Sequence, residues 1–282
     1  MKQLYTLLFS FITLLFPLTA EAVNYTATQG DVLTIHKSIP EGPVSLEFKG
    51  KQWPSMRDES GKVWAWIGVD MKTRAGSYPI KWKVGEWKSE DRLRVTRGEF
   101  RISRITVEKK MAVFGKEELK RIRADQKKLK NSYVAKVDAS PFIHITRMPT
   151  EGIESTPFGA QRYVNGEPRS PHSGIDIAAP EGTSVITPIA GKVLVVADMY
   201  LNGNTVAIGH GHGLVSVFSH LKSASVKKGE WIDAGQQIGE VGMSGRATGP
   251  HLHWGLRFQQ ARINPYSIMR GEGKQWKHNS DD

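Results

Sequence analysis

Residues 249–256 read GPHLHWGL. His251 and His253 stand two apart, with Gly249 and Gly255 close on either side. In an extended strand alternate side chains share a face, so both imidazoles point one way and Leu252 and Trp254 the other. Two adjacent imidazoles repel if both are protonated, and a metal ion is the usual reason for holding such a pair neutral. The plainer alternative is a surface strand with two exposed histidines. The segment alone does not separate the two readings, so its surroundings must.

Upstream, residues 171–185 read PHSGIDIAAPEGTSV. His172 and Asp176 are four apart, a helical spacing, but Ser173-Gly174 between them and Pro180 nearby argue for an extended or looped segment. A histidine and a carboxylate with one further imidazole make three ligands and leave a fourth position for water, as a catalytic zinc requires. Between the two motifs lies LVSVFSHLKSASVKKGE, residues 214–230. Its alternation places His220 at the end of an apolar strand, where a side chain can enter a cleft. Six of the nine histidines lie from His172 to His253. His210 and His212, in the glycine-rich IGHGHG, read as a turn near the cleft rather than a second metal site. His36 reads as an isolated surface side chain, and His144 and His278 have no evident partners.

Around this core of motifs the chain divides. Residues 1–22 carry Lys2, an apolar run over 4–18 and the small-x-small ending Ala20-Glu21-Ala22, the pattern of a cleaved secretory signal. Residues 23–110 alternate apolar and polar residues in short runs such as VLTIHKSI, VSLEFKG, KVWAWIGVD, SYPIKWKV and FRISRITVE, split by turn residues. That spacing predicts a small antiparallel β-sandwich-like domain. Residues 111–138 form a connection whose stretch 115–133 predicts a basic amphipathic helix, with Leu119, Ile122 and Leu129 on its stripe and Gln126 in the fourth place. Residues 139–270 turn glycine-rich with recurring strand-like runs and predict an antiparallel β domain; 271–282 is a polar tail. Loops at Asn202-Gly203 and 242–249 are expected to wall a groove.

There are 282 residues, 39% hydrophobic and 24% charged, with no cysteine and a formal net charge of +11. The expected leader removes one cation and one anion, so the mature charge is the same. Without cysteine an exported chain has no disulfides, and any metal site is limited to histidine, carboxylate and water. Outside the cytoplasm a basic protein suits an anionic surface, such as the cell wall, rather than nucleic acid. No HExxH signature is present.

FGAQRYVNGEPRSPHSGIDIAAPEGTSVITPIAGKVL at 158–194, VFSHL at 217–221 and GQQIGEVGMSGRATGPHLHWGL at 235–256 occur in this order. Residues 156–265 therefore resemble a LytM/lysostaphin-type zinc peptidase domain. The resemblance implies a small antiparallel β architecture with a groove over one zinc ion. It implies that His172, Asp176 and His253 bind that ion and that His220 and His251 are catalytic without binding it. It also implies peptidoglycan as substrate, with a D-Ala–diaminopimelate cross-link expected first and a glycine bridge second, and a periplasmic or cell-envelope location without stable membrane insertion. The alternative is a non-enzymatic wall-binding protein or an activator of a wall amidase. All five site residues are present, which disfavours it. Residues 23–110 are expected to position or shield the groove and are long enough to fold alone.

Overall fold

A computed structural model describes residues 22–107, 114–139 and 147–269. The expected signal segment apart from Ala22, His144, His278 and the expected polar tail lie outside the described residues. In chain order come β1 (Asn24–Thr28), β2 (Val32–Lys37), β3 (Ser45–Phe48), β4 (Lys51–Gln52), β5 (Ser55–Arg57), β6 (Val63–Gly68), β7 (Gly76–Val84), β8 (Trp87–Thr96) and β9 (Ile102–Ile105). The helix α1 (Lys116–Ser132) follows. Then come β10 (Ile153–Thr156), β11 (Gln161–Val164), β12 (Glu167–Pro168), β13 (Ile175–Ala178), β14 (Ser184–Ile186), β15 (Gly191–Met199) and β16 (Gly203–Gly209). Last are β17 (Leu214–Ala224), β18 (Trp231–Ile232), β19 (Gln237–Val241), β20 (His251–Phe258), β21 (Ala261–Ile263) and a 3₁₀ turn, Pro265–Ile268.

The first eight strands form two facing sheets, ordered β1-β8-β7-β3-β4 and β2-β6-β5. Alternation builds the layer between them: Ile35, Val63, Ala65 and Ile67 from one sheet, and Leu46, Ile80, Trp82 and Leu93 from the other, are all buried. The sandwich is not purely antiparallel, because β1 runs parallel to β8. A buried carboxylate explains the docking of β1. Asp91 Oδ1 accepts the Val23 N–H at 2.9 Å, while Lys37 Nζ lies 2.6 and 2.7 Å from the two oxygens and Trp82 Nε1 donates at 2.7 Å. Lys37 belongs to one sheet and Asp91 to the other, so this ion pair staples the layers; a buried charge is tolerated only when satisfied in this way.

The run FRISRITVE, read in sequence as a further sandwich strand, does something else. Its strand β9 leaves the sandwich and pairs parallel with β11, in the order β12-β11-β9. The side chain of Asn165 fixes it: Oδ1 accepts the Val107 N–H at 2.9 Å and Nδ2 donates to Val107 O at 3.0 Å.

The large sheet runs β10-β13-β20-β17-β16-β15-β18, with β19 bridging β14 and β17, and β21 on β20. Its central strand β17 is buried from Leu214 to Leu221. The sandwich packs directly onto this sheet. Trp53 meets Phe258 edge-on at 5.4 Å, Asn264 N–H donates to Gly30 O at 2.8 Å, and one contiguous apolar core runs through both parts. Gly30 has φ +92° and a Cβ there would stand 2.4 Å from the Phe158 ring, so both the conformation and the close approach demand glycine.

The helix α1 covers β15 and β16. Its inward face differs from the expected stripe: Ile122 and Asp125 are buried, whereas Leu119 is exposed. Asp125, not Gln126, takes the fourth position because its Oδ2 accepts the Tyr200 N–H at 2.9 Å.

Candidate metal centre and groove

Pairing of β13 with β20 sets Asp176 directly opposite His253 and Ala178 opposite His251. The alternation of β20 therefore delivers both histidines to the face that carries Asp176. His172 precedes β13 in a loop clamped to the turn before β11: Gly159 N–H donates to His172 O at 2.8 Å and His172 N–H to Ala160 O at 2.9 Å.

His172, Asp176 and His253 converge. His172 Nε2 lies 2.8 Å from Asp176 Oδ1 and 2.9 Å from His253 Nδ1, and His253 Nδ1 lies 2.8 Å from the same oxygen. The His172 Nδ1–H is spent on Pro157 O at 3.1 Å, which leaves Nε2 with a lone pair. Burial alone would raise the Asp176 pKa, but its bonds to His172 and His253 outweigh that and hold the carboxyl well below the usual carboxylate range. Three atoms with electron pairs thus face one another, and one proton on His253 Nδ1 cannot serve both of its neighbours. A cation in their midst would serve all three. A tetrahedron with ~2.0 Å bonds has edges of ~3.3 Å, so the triangle need open only slightly to fit zinc. The second carboxylate oxygen is held by Arg162 Nη2 at 2.6 Å, and this contact and the Pro157 carbonyl fix the orientation of Asp176 and His172, as outer bonds do where such side chains bind a metal.

His220 and His251 stand beside this set, their ring centroids 4.7 Å apart, with the His220 ring 6.2 Å from that of His253. Each gives its Nδ1–H to a carbonyl, Ser244 O at 2.8 Å and Gly249 O at 2.9 Å, so each keeps Nε2 for chemistry. Burial, then the neighbouring His251 and His253, push the His220 pKa down to about 3. Burial likewise brings His253 to about 4 against the pull of Asp176. The backbone of His220 is left-handed, φ +63°, and its N–H donates to Asn202 O at 2.8 Å. Irregular pairing on either side of it, between β17 and both β16 and β19, re-aims the side chain, a use of β-bulges common at active sites.

The five residues line one groove of about 590 Å³. The expected loops wall it through Asn202 and residues 246–249. Sequence reading missed Ile105 and Val107, from the chain after the sandwich, and Arg162, Arg169 and Arg246. Asn165-Gly166, with φ +52° and +84°, was the available signal for the hairpin that carries two of those arginines. His210 and His212 lie elsewhere. Their turn joins β16 to β17 at the end away from His220, so the expectation of a turn near the cleft is corrected. His210 donates its Nδ1–H to Ala190 O at 2.9 Å and accepts at Nε2 from the Ser216 hydroxyl at 2.7 Å, and burial lowers its pKa to about 4. His36 packs on Trp64, ring centroids 3.6 Å apart.

Convergent electron-pair donors beside two spare imidazoles, in a groove cut across a β-sheet, are the equipment of a metal-dependent hydrolase. A sequence profile described as Peptidase family M23 matches residues 170–265. The crystal structure of a Pseudomonas aeruginosa protein assigned to peptidase M23 superposes with a TM-score of 0.70 at 30% identity, covering 86% of this chain and 94% of that one. The chain belongs to peptidase family M23. Among curated relatives, the DD-carboxypeptidase/endopeptidase Mpg of Neisseria meningitidis is 37% identical over 114 residues, 40% of this chain and 26% of that protein. The peptidoglycan DD-endopeptidase ShyA of Vibrio cholerae is 41% identical over 95 residues, 34% of this chain and 22% of that protein. The match thus spans about a quarter of the length of these relatives.

Proposed function

We propose that this chain is a zinc-dependent peptidoglycan endopeptidase of the cell envelope that hydrolyses peptide cross-links, the D-Ala–diaminopimelate bond first among them. The observation that carries the reading is the triangle of His172 Nε2, Asp176 Oδ1 and His253 Nδ1, with edges of 2.8 to 2.9 Å, on the floor of an open groove. In this reading these three hold a single zinc ion. Bound zinc supplies Lewis acidity toward a carbonyl oxygen and makes water acidic enough to attack near neutral pH.

The remaining work falls to the chain. The backbone carbonyls of Ser244 and Gly249 fix the tautomers of His220 and His251, so that Nε2 of each faces outward from its anchor. One of His220 and His251 can take a proton at its free Nε2 as water attacks and return it to the leaving amine. The other, if it takes a second proton from solvent at Nε2 before the attack, can donate to the oxygen on which negative charge develops. The groove is open, as an extended polymer substrate requires.

Names of relatives support the substrate class: both Mpg and ShyA are named as endopeptidases, and ShyA as one acting on peptidoglycan. The test is digestion of purified sacculi with and without a chelator, followed by product masses. Chelator-sensitive release of monomeric muropeptides from dimers is expected. Intact sacculi together with full zinc occupancy would favour the wall-binding alternative instead.

A further inference from the structure

The helix α1 carries a charge pattern that neither its packing nor the hydrolytic chemistry uses. Ile122, Asp125 and Ser132 are its buried residues, and Leu129 packs beside them, which fixes its inward face. Lys116, Lys120, Arg123, Lys127 and Lys130 follow one another at alternating spacings of four and three, which puts them on a single stripe of the opposite face. All five are exposed. A rise of ~1.5 Å per residue spreads them along about 21 Å. Like charges at these spacings weaken a helix, and a helix built only to be solvated interleaves charges of both signs. The ion pairs that α1 makes among the described residues, Arg121 with Asp198 and Lys128 with Asp125, lie off this stripe. So do its other carboxylates, Glu117 and Glu118, which sit in the first turn.

The stripe and the groove belong to the same side of the large sheet. Register sets Val215 opposite Arg257, Val217 opposite Gly255 and Ser219 opposite His253, so these residues share the face that carries Asp176 and His251. Leu129 of α1 and Tyr133 just after it pack on Val215 and Val217 of that face. Asp125 holds the Tyr200 N–H at 2.9 Å, and the next two residues, Leu201 and Asn202, line the groove. The helix is therefore a ridge beside the groove, with its five cations turned away from the sheet. A polymer too large for the groove lies against this ridge as well. We propose that the stripe is a second, non-catalytic contact with the wall polymer, one that takes up free carboxylates remote from the bond being cut. The identity of the polymer rests on the endopeptidase reading above. Four of the five cations are lysines, point charges on flexible stems without the fork that arginine offers to one carboxylate, so the ridge tethers a polyanion and selects no particular bond. It offers no apolar side chain to a bilayer, into which an interfacial helix sinks an apolar face.

The test compares the zinc-loaded chain with the triple variant Arg123→Gln/Lys127→Gln/Lys130→Gln, which keeps good helix formers at exposed positions and touches no residue of the groove. Each protein is pelleted on ice with purified sacculi, with sacculi whose carboxylates have been amidated, and with anionic phospholipid vesicles, over a series of salt concentrations. Cleavage of a small soluble muropeptide dimer is followed in parallel. At low salt the wild-type chain is expected to bind untreated sacculi about tenfold more tightly than the variant, the worth of three exposed charge contacts. That advantage should vanish with added salt and on amidated sacculi. Turnover of the dimer should be equal in the two proteins, and the variant should melt no lower, because it relieves repulsion along the helix. If it does melt lower, Lys127→Gln/Lys130→Gln takes its place. Equal binding of both proteins to untreated sacculi overturns the tether. A variant that loses affinity for vesicles but not for sacculi overturns it too, making the ridge a membrane face. Pelleting needs no cleavage, so a wild-type chain that leaves the dimer uncut fails the endopeptidase reading while the binding series still decides the tether.

Discussion

At the scale of single residues, the triangle of ligands and the two flanking imidazoles make separable demands. On the proposed reading, replacing His172, Asp176 or His253 by alanine removes one of three ligands, and the expected outcome is loss of zinc by elemental analysis together with loss of cleavage. Full occupancy in all three variants would remove them as ligands. His220→Ala and His251→Ala leave that triangle whole. Zinc should stay while turnover on a soluble muropeptide falls by about 10²-fold or more. Wild-type turnover in either variant would take that histidine out of the mechanism. That these five side chains would share one groove was legible from the order of the glycine-set motifs and the family they resemble, since each motif alone leaves its plainer reading open. The conformation of His220 was not: a left-handed φ of +63° near the end of the apolar run of β17 has no compositional signal. The arginines were equally silent, since a lone arginine in sequence looks like any other surface cation until two walls bring three together.

At the scale of elements, periodicity gave strands and the helix but not their partners. The run at β9 alternates as a sandwich strand should, yet it pairs with β11, because the parallel register depends on Asn165 reaching across to Val107. Nothing local encodes that contact, for Val107 and Asn165 are far apart in sequence. The helix shows the same limit. Its amphipathic stripe was visible, but the spacing of Leu119, Ile122 and Leu129 points to Gln126 in the fourth place, and a carboxylate such as Asp125 belongs in water unless the fold supplies a donor. Here the Tyr200 N–H is that donor, and Arg121 reinforces the seam through Asp198 at 2.6 Å. Asp125→Ala leaves the Tyr200 N–H without this acceptor on a covered surface. The expected cost is about 1–2 kcal/mol in chemical denaturation, with zinc content unchanged. No measurable change would mean that water replaces the carboxylate and that the remaining contacts hold α1 to the sheet.

At the scale of the whole molecule, the question is whether the sandwich is an attachment or part of the enzyme's body. Arg262 grips Asp70 by its Nε, Nη2 and backbone N–H at 2.9, 2.6 and 2.8 Å, joining β21 to the loop after β6. Burial alone would raise the Asp70 pKa, but these bonds outweigh it and lower the value from 3.8. A depressed folded pKa contributes stability above the unfolded value and loses it as pH falls through the folded one. Asp70→Asn should therefore flatten part of the stability loss that sets in as pH falls below about 4 in thermal melts. A stronger test removes residues before 139. Phe158, Phe258 and Ile263 are 6%, 1% and 0% exposed, and the sandwich meets them through Gly30, Trp53 and Gly68. Uncovering three such side chains forfeits roughly 1.5–3 kcal/mol each where burial is complete. The same cut deletes Ile105 and Val107 from the groove wall. A chain beginning at residue 139 is thus expected to melt well below the full chain, to aggregate, and to cleave a small muropeptide with a raised KM. Pure shielding by the front region predicts the opposite kinetics, a shortened chain that is faster on every substrate. Equal melting temperature and equal kcat/KM in the shortened chain would show that the shared core and the β9 wall contribute nothing the peptidase sheet needs.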